Sequence, residues 1–481
     1  METMSPIPAP PAPNLLERFN TWIQESIMIK LFSIGFLILI LLIPSSWIES
    51  LIEERQYRAN EVIQEVSDKW SVTQTLSGPV LVIPYTKTEV IDRGKDGIEK
   101  YDVTEKAFFL PEQLNIDGNV TPQNLHRGIF DVVVYQSTLK IKSEFAKPDF
   151  KNLNIPLDRV QWKDAYLVFG ITDLRGISDN PVITLGQDTL SSEPSNDIGV
   201  SVRANTPANA TAYSEYRSGV DYATVESDVV STKGIMANLN WEKEEDFASV
   251  MNMKLDLKGS QRLDFVPGGK TTEVKLSGKW PNPSFDGKYV PATREITDDS
   301  FAATWKVLHF NRPFSQQWTD KNQSLSGWDF GVKLLVPVDQ YQKSIRTSKY
   351  GILIILLTFI SLLLVEITQK LRIHPFQYIL IGAALTIYYT LLLSFSEHLG
   401  YNTAYLIASV ATVILISAYA TTFISSRRLI ILVSMLLVLF YSFIFIIILQ
   451  QELSLLLGSV GLFIIIGMLM YFSRKVKWYA K

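Results

Sequence analysis

The 481-residue chain contains no cysteine. That excludes disulfides, thiolate metal sites and a cysteine nucleophile. Histidine occurs four times, at His126, His309, His374 and His398. His126 and His309 are far apart in sequence without ligand-like neighbours, and no His-Glu-x-x-His occurs, so neither a metal nor another cofactor is expected. Charge of either sign is also not in surplus: 45 Lys+Arg against 48 Asp+Glu leave a net charge of −3, which gives no support to a nucleic-acid partner. Gly268-Gly269-Lys270-Thr271 ends like a phosphate-binding loop, but the glycine required five residues before Gly269 is Asp264, and a β-turn fits better. Gly458-Ser459-Val460-Gly461 has the wrong spacing for a nucleophile elbow; small residues there let helices pack closely. With no catalytic constellation, no enzymatic activity is expected.

What the chain does have is long apolar runs. A span needs about 20 mostly apolar residues, because the hydrocarbon layer is ~30 Å thick and a helix rises ~1.5 Å per residue. Six runs qualify: 29–48, then about 350–368, 376–395, 403–424, 429–449 and 453–472. The predicted organisation is a cytoplasmic Pro-rich tail (1–28), a first transmembrane helix (29–48), a large outer domain (49–349), a five-helix transmembrane bundle (350–472) and a basic tail (473–481). The tail's Asn14-to-Gln24 stretch reads either as an interfacial helix or as an extension of the first span. Lys370 and Arg372, Arg427 and Arg428, and the basic C-terminus alternate with connectors that carry Glu397 and Glu452 and no Lys or Arg. This pattern predicts cytoplasmic termini and a periplasmic 49–349. A cleaved signal peptide is the other reading of the first run, although the stretch before Leu31 is long for one.

Between the first and second runs the periodicity changes. Residues 49–69 read as a helical stalk with Glu54–Arg58 and Glu65–Lys69 at favourable i,i+4 spacing. Strand-like segments follow: 80–83, 130–145, 160–172, 250–257, 274–280, 302–308 and 330–338. Turns are expected at Asp117-Gly118-Asn119, Pro267-Gly268-Gly269 and Asp286-Gly287. The predicted fold is a six-helix transmembrane protein with an antiparallel β-sandwich inserted between helices one and two. Residues 187–235, rich in Ser, Asn, Ala and Thr, read as a long surface excursion.

Ionisable groups in or beside spans are costly and often functional. Glu366 lies within the second run near its cytoplasmic end. It reads either as an interfacial ion pair with Lys370 one turn later or as a proton- or ion-handling group. Arg346 and Lys349, on a helix leading into that run, face the acidic connectors with Glu397, His398 and Glu452. Two readings apply: pairing that latches the domain's angle, or separate solvation. His374, ahead of Pro375, completes the set of candidate polar residues. Tyr388, Tyr389, Tyr419 and Tyr441 read as buried handles bonding between helices.

The chain resembles the CreD family. The residues that carry the resemblance include Glu54-Arg55-Gln56-Tyr57-Arg58, Ser77-Gly78-Pro79-Val80-Leu81-Val82-Ile83-Pro84-Tyr85, Asp173-Leu174-Arg175-Gly176-Ile177, Trp280-Pro281-Asn282-Pro283-Ser284-Phe285 and Pro337-Val338-Asp339-Gln340-Tyr341-Gln342-Lys343. His374-Pro375-Phe376-Gln377-Tyr378 and Ser394-Phe395-Ser396-Glu397-His398 continue it. Family members often read Gln-x-Glu-Asp-Tyr before the last span, where this chain has Gln450-Gln451-Glu452-Leu453-Ser454. The resemblance implies an inner-membrane protein of Gram-negative bacteria tied to envelope integrity. It further implies an envelope-stress regulon under a two-component system, with effects on colicin and β-lactam tolerance, and no established chemistry. The expected partners are the lipid bilayer and envelope proteins. The other functional reading is a transporter or lipid-handling protein that uses the helical bundle.

Overall fold

The structure, a computed structural model, describes residues 27–92, 98–196, 202–203, 230–231, 233–319, 323, 325, 327–334, 339–369, 371, 373–450 and 453–473. The Pro-rich tail with its expected interfacial helix, Lys370, Arg372, Glu452, most of the 187–235 excursion and the basic C-terminal tail lie outside the described residues. The chain divides into two units, a helical one (1–58 and 338–481) and a β one (59–337).

In the helical unit, α1 (Ile27–Trp70) runs unbroken through Pro44 for 44 residues, so the first apolar run and the stalk are one helix about 66 Å long. It continues past the boundary into the β unit. Then come α2 (Asp339–Lys349), α3 (Gly351–Gln369), α4 (Pro375–Leu399), α5 (Tyr401–Ala420), α6 (Arg427–Leu449) and α7 (Ser454–Ser473). Among the described residues, five helices are long and apolar enough to cross a membrane, and α7 contains a shorter apolar stretch, Leu456–Gly467. Polarity is reversed relative to a water-soluble protein. Phe32, Phe36, Leu406, Ile414, Met435 and Phe463 are exposed, while Glu366, Thr386, Thr412, Tyr388 and Tyr441 are buried. Glycine sets the close approaches: a Cβ on Gly382 would strike Leu41, and one on Gly461 would strike the Phe443 ring. The helix-packing role expected around Gly458–Gly461 therefore falls to Gly461.

In the β unit, in chain order, β1 is Gln74–Asp92, β2 Ile98–Phe109, β3 Gln113–Arg127, β4 Phe130–Glu144 and β5 Tyr166–Ile171. Next are β6 Val182–Leu185, β7 Asp188–Leu190, β8 Glu193–Ser195, β9 Val202–Arg203, β10 Val230–Ser231, β11 Gly234–Asn238 and β12 Val250–Ser260. Last come β13 Arg262–Phe265, β14 Thr271–Gly278, β15 Pro283–Gly287, β16 Thr293–Ile296, β17 Phe301–Leu308, β18 Gln317–Thr319 and β19 Phe330–Leu334. One sheet has nine strands, β15-β19-β13-β1-β5-β11-β8 with β2 on β1 and β18 on β2; the other has eight, β16-β17-β14-β3-β4-β12-β6-β7. Side chains from both sheets form one core that includes Phe169, Phe265, Phe330, Tyr135, Leu255 and Trp305. A smaller cluster of Val80, Val82, Phe108, Val168, Phe314, Trp318 and Leu325 covers the other face of β1. Buried on both faces, Val80-Leu81-Val82-Ile83 has no alternation, as its continuous apolar run implies.

Four expectations need correction. Asp286-Gly287, expected as a turn, is the end of β15 and pairs with Gly331 and Phe330 of β19. The sheets are not purely antiparallel: β1 pairs with β13 and β3 with β14 in parallel. Such pairing joins strands far apart in sequence and leaves no local turn signal. Asp117-Gly118-Asn119 is not a turn but the middle of β3, where Leu276 and Leu139 methyls occupy the space of a Gly118 Cβ. The expected strand 160–172 follows one 3-10 turn, Leu157–Arg159, and begins with another, Trp162–Asp164, before β5. The expected turn before β14 does form, with Gly269 N–H donating to Thr272 Oγ1 at 2.9 Å.

Candidate functional site

Glu366 occupies the last turn of α3 and is 2% exposed. A carboxylate so placed requires donors, and three converge on it. Lys30 Nζ, from the first turn of α1, donates to Oε1 at 2.6 Å. The backbone N–H of Ile373 donates to the same oxygen at 3.3 Å. Tyr378 Oη, one turn into α4, donates to Oε2 at 3.0 Å. Glu366 thus joins α1, the α3–α4 connector and α4. The expected partner Lys370 lies outside the described residues, and the cation that meets Glu366 is Lys30, which is remote in sequence. Because both oxygens are occupied by fixed donors, the arrangement acts as a clasp. His374 serves the same connector: it caps α4, with its Nδ1 accepting from Phe376 N–H at 3.2 Å and its own N–H donating to Gln377 Oε1 at 2.9 Å. Pro375 follows at the first helical position, where its missing N–H costs nothing.

Glu397 sits 19 residues after Tyr378 on α4, about 28 Å along the helix and close to one hydrocarbon thickness. Its carboxylate is half-buried. Tyr341 Oη of α2 donates to Oε1 at 3.3 Å, and Arg55 Nε of α1 lies 3.9 Å away. The expected latch paired Glu397 with Arg346 or Lys349 instead. The helix that supplies the cation is α1, because its continuation past the apolar run carries Arg55 alongside α4. Lys349 is exposed, Arg346 is half-buried on α2, and His398 is exposed. Next to this contact, Thr347 Oγ1 and Tyr401 Oη are 2.6 Å apart and Lys343 Nζ lies 5.9 Å from the Tyr401 ring centre. Each end of α4 is therefore tied by a carboxylate to a cation from α1.

A family model described as inner membrane protein CreD matches residues 26–479. The chain belongs to the CreD family. Inner membrane protein CreD of Escherichia coli (strain K12) is 29% identical over 455 residues, covering 94% of this chain and 93% of its own. Family membership and the apolar helices together make it a multi-pass inner-membrane protein embedded in the lipid bilayer.

Within this CreD chain the structure also brings together residues to which sequence reasoning attached no role. The Asp173-Leu174-Arg175-Gly176 motif fastens the end of α1 within the β unit. Asp173 Oδ2 accepts from Ser71 Oγ (3.1 Å), Val72 N–H (3.3 Å) and Arg175 Nη2 (2.8 Å). Arg175 Nη1 donates to the Asp68 carbonyl at 2.7 Å. Gln74 Nε2 donates to the carbonyls of Asp173 (2.9 Å) and Lys258 (3.1 Å). Burial pushes the Asp173 carboxyl up, but the bonds from Arg175 outweigh it and hold the group below its usual range. Gly176 is required, since a Cβ would strike Gln74 Nε2 and the Lys258 carbonyl.

A second CreD cluster lies in the nine-stranded sheet. Arg262 donates through Nε to Asp264 and through Nη1 to Asp286 at 3.1 Å, and its Nη2 is 3.6 Å from Asp329. Tyr135 Oη of the other sheet donates to the Arg262 carbonyl at 2.8 Å. Burial raises the Asp264 carboxyl to about 7; Arg262 opposes the rise and Asp329 adds to it. The only sequence trace was Arg262 and Asp264 at alternate positions of one short strand. Among the described residues, no group of three or more His, Asp or Glu side chains is placed to hold a metal ion. The tyrosines bond between helices less than expected. Tyr405 Oη donates to the Tyr441 carbonyl at 2.7 Å, but the hydroxyls of Tyr388, Tyr389 and Tyr441 make no hydrogen bond among the described residues.

Proposed function

We propose that this CreD protein is a non-enzymatic envelope-integrity protein. It crosses the inner membrane six times, keeps both termini in the cytoplasm and holds residues 49–349 in the periplasm, where the β unit meets envelope partners. The observation that carries the reading is the use of buried charge. Glu366, Glu397, Asp173 and Arg262 are each engaged in fastening one element to another, which leaves the large β surface as the part able to act. The alternation of Arg427, Arg428 and the basic tail with the Glu397 and Glu452 connectors supports the orientation. A deletion strain is expected to show altered morphology or altered tolerance under envelope stress, restored by the full chain and not by a chain whose β unit is replaced with a linker. Unaltered tolerance in the deletion strain sinks the proposal. Reporter fusions after Lys370, Arg427 and Lys481 should give cytoplasmic signals, and those near Val200, Gly400 and Glu452 external ones; a cytoplasmic signal at Gly400 breaks the six-span topology.

A second reading, a transporter or lipid-handling bundle, is favoured by one observation. Buried hydroxyls of Tyr388, Tyr389, Tyr441, Ser409 and Thr358 are without partners among the described residues of the helical unit, an arrangement costly for a purely structural core. Reconstituted liposomes should then move a polar solute or a lipid. Absence of such movement leaves the envelope-integrity reading alone.

A further inference from the structure

The solvent face of the eight-stranded sheet carries a groove of about 620 Å³ across β14, β3, β4, β12 and β6. Two smaller hollows of about 380 Å³ each continue it over β16 and β17: the first shares Asp117 and Lys275 with the groove, and the second shares Ser277 with the first. Strand register fixes what faces the groove. One row, running perpendicular to the strands, places Lys275 opposite Asp117, Asp117 opposite Lys140 and Lys140 opposite Lys254. The next row places Glu273 opposite Asn115, Asn115 opposite Lys142 and Lys142 opposite Asn252.

Like charges directly opposite each other destabilise a sheet, so the Lys140–Lys254 pair costs the fold stability. Part of the positive charge is answered internally: Lys254 bonds Asp256 at 2.8 Å and Lys275 bonds Glu273 at 2.9 Å. Lys140 and Lys142 make no ion pair among the described residues. The groove is therefore lined by Lys140, Lys142, Lys254 and Lys275 against Asp117 and Glu273, a surplus of positive charge; Lys140 has Asp117 opposite it, while Lys142 has only the neutral amides of Asn115 and Asn252 on both sides. All five strands under the main groove are paired on both edges, so no free backbone is offered for strand addition. Exposed apolar lining is confined to Val182, and no aromatic ring lines the groove. An extended peptide would find neither backbone partners nor side-chain pockets here. A linear polymer with its own carboxylates, hydroxyls and N-acyl groups would match the ammonium and amide rows.

We propose that this face binds an anionic glycan laid across the strands, with Lys140 and Lys142 pairing its acidic groups and Asn115 and Asn252 bonding its hydroxyl or amide groups. The inference goes beyond the envelope-integrity reading and is read in vitro, so its failure leaves any deletion phenotype intact and a missing phenotype leaves it intact. The test uses the full chain in nanodiscs and fluorescently labelled oligogalacturonate, with dextran and polyglutamate as competitors. Saturable binding that weakens with salt is expected. Lys140→Ala with Lys142→Ala should weaken it about tenfold or more, and Asn115→Ala with Asn252→Ala severalfold. Dextran should not compete. Lys140→Ala alone should keep or raise thermal stability, which shows that the fold is intact. No saturable binding, or binding that the lysine pair does not alter, overturns the proposal. So does polyglutamate competing equally well while the asparagine pair has no effect, since the face would then recognise only negative charge.

Discussion

The two units differ in the charge they bury. The β unit is apolar inside and polar outside, and besides Ser, Thr and Gln side chains it buries Asp173, Asp264, Asp329 and Arg312, with Arg175 and Arg262 reaching the acids from more exposed positions. The helical unit is apolar outside, and among its described residues the buried polar groups apart from Glu366 are hydroxyls on Tyr, Ser and Thr. The reason is solvent. Around the β unit water lets charges enter the fold from a hydrated surface and stay bridged to it, so a half-exposed Arg175 can hold a buried Asp173. Within hydrocarbon an ion has no such exit, and the charges of the helical unit gather near the ends of α4, where Lys30 and Arg55 can reach water. Polar clasps therefore mark the boundaries of the helical unit and the interior seams of the β unit.

The largest expected effects come from breaking a clasp in each unit. Glu366→Ala leaves Lys30 and Tyr378 without their acceptor and Arg262→Ala removes the cation bonded to the buried Asp264; each should cost about 3–5 kcal/mol. Thermal unfolding of the detergent-solubilised protein would read both losses. Lys30→Met added to Glu366→Gln should recover part of the loss if the two act as a pair, and strictly additive costs would show that they do not.

Within the β unit, two buried aspartates should give opposite responses to pH. The folded Asp264 carboxyl titrates near 7 instead of 3.8, so the folded state holds a proton that the unfolded state has released. Its contribution is fully present below pH ~4 and is lost as pH rises towards 7, with a slope of at most ~1.4 kcal/mol per pH unit. Unfolding of the β unit followed between pH 4 and 7 should show that slope, and Asp264→Asn should flatten it. Asp173 works in the opposite direction: its lowered carboxyl contributes stability above its unfolded value that is lost at lower, more acidic pH. If Asp264→Asn leaves the profile unchanged, the aspartate cluster is not the source.

Smaller effects separate bonded from unbonded tyrosines. Tyr405→Phe removes a bond to the Tyr441 carbonyl and should cost about 0.5–1.5 kcal/mol. Tyr388→Phe removes a hydroxyl that bonds nothing among the described residues, and should be neutral or stabilising. A measurable loss of function in a stable Tyr388→Phe protein would instead favour the second reading of the helical bundle.

Much of the fold was legible in the sequence. Apolar runs longer than a bilayer is thick have few other uses, and they correspond to helices; β1, β4, β12, β14, β17 and β19 follow from β-branched and alternating segments. What escaped was pairing. Neither parallel pair could be foreseen, because β1 meets β13 across most of the domain and no turn announces it. Gly118 was misread for a related reason: glycine marks both a turn and a strand position into which neighbouring side chains lean, and only Leu276 and Leu139 decide which. Among candidate polar residues, Glu366 and Glu397 stood out as acids in or beside apolar runs, but their cations did not, since Lys30 and Arg55 belong to the opposite end of the sequence.

Composition and periodicity by themselves determined that this chain enters a membrane, that a β domain interrupts its spans, and that no cysteine chemistry is possible, because each follows from local sums of side-chain properties. The tertiary structure alone decided that Lys30 meets Glu366, that Arg55 lies beside Glu397, that Arg262 gathers three aspartates, and that Lys140 faces Lys254. Each of those contacts depends on the register and packing of elements distant in sequence, which no local property encodes.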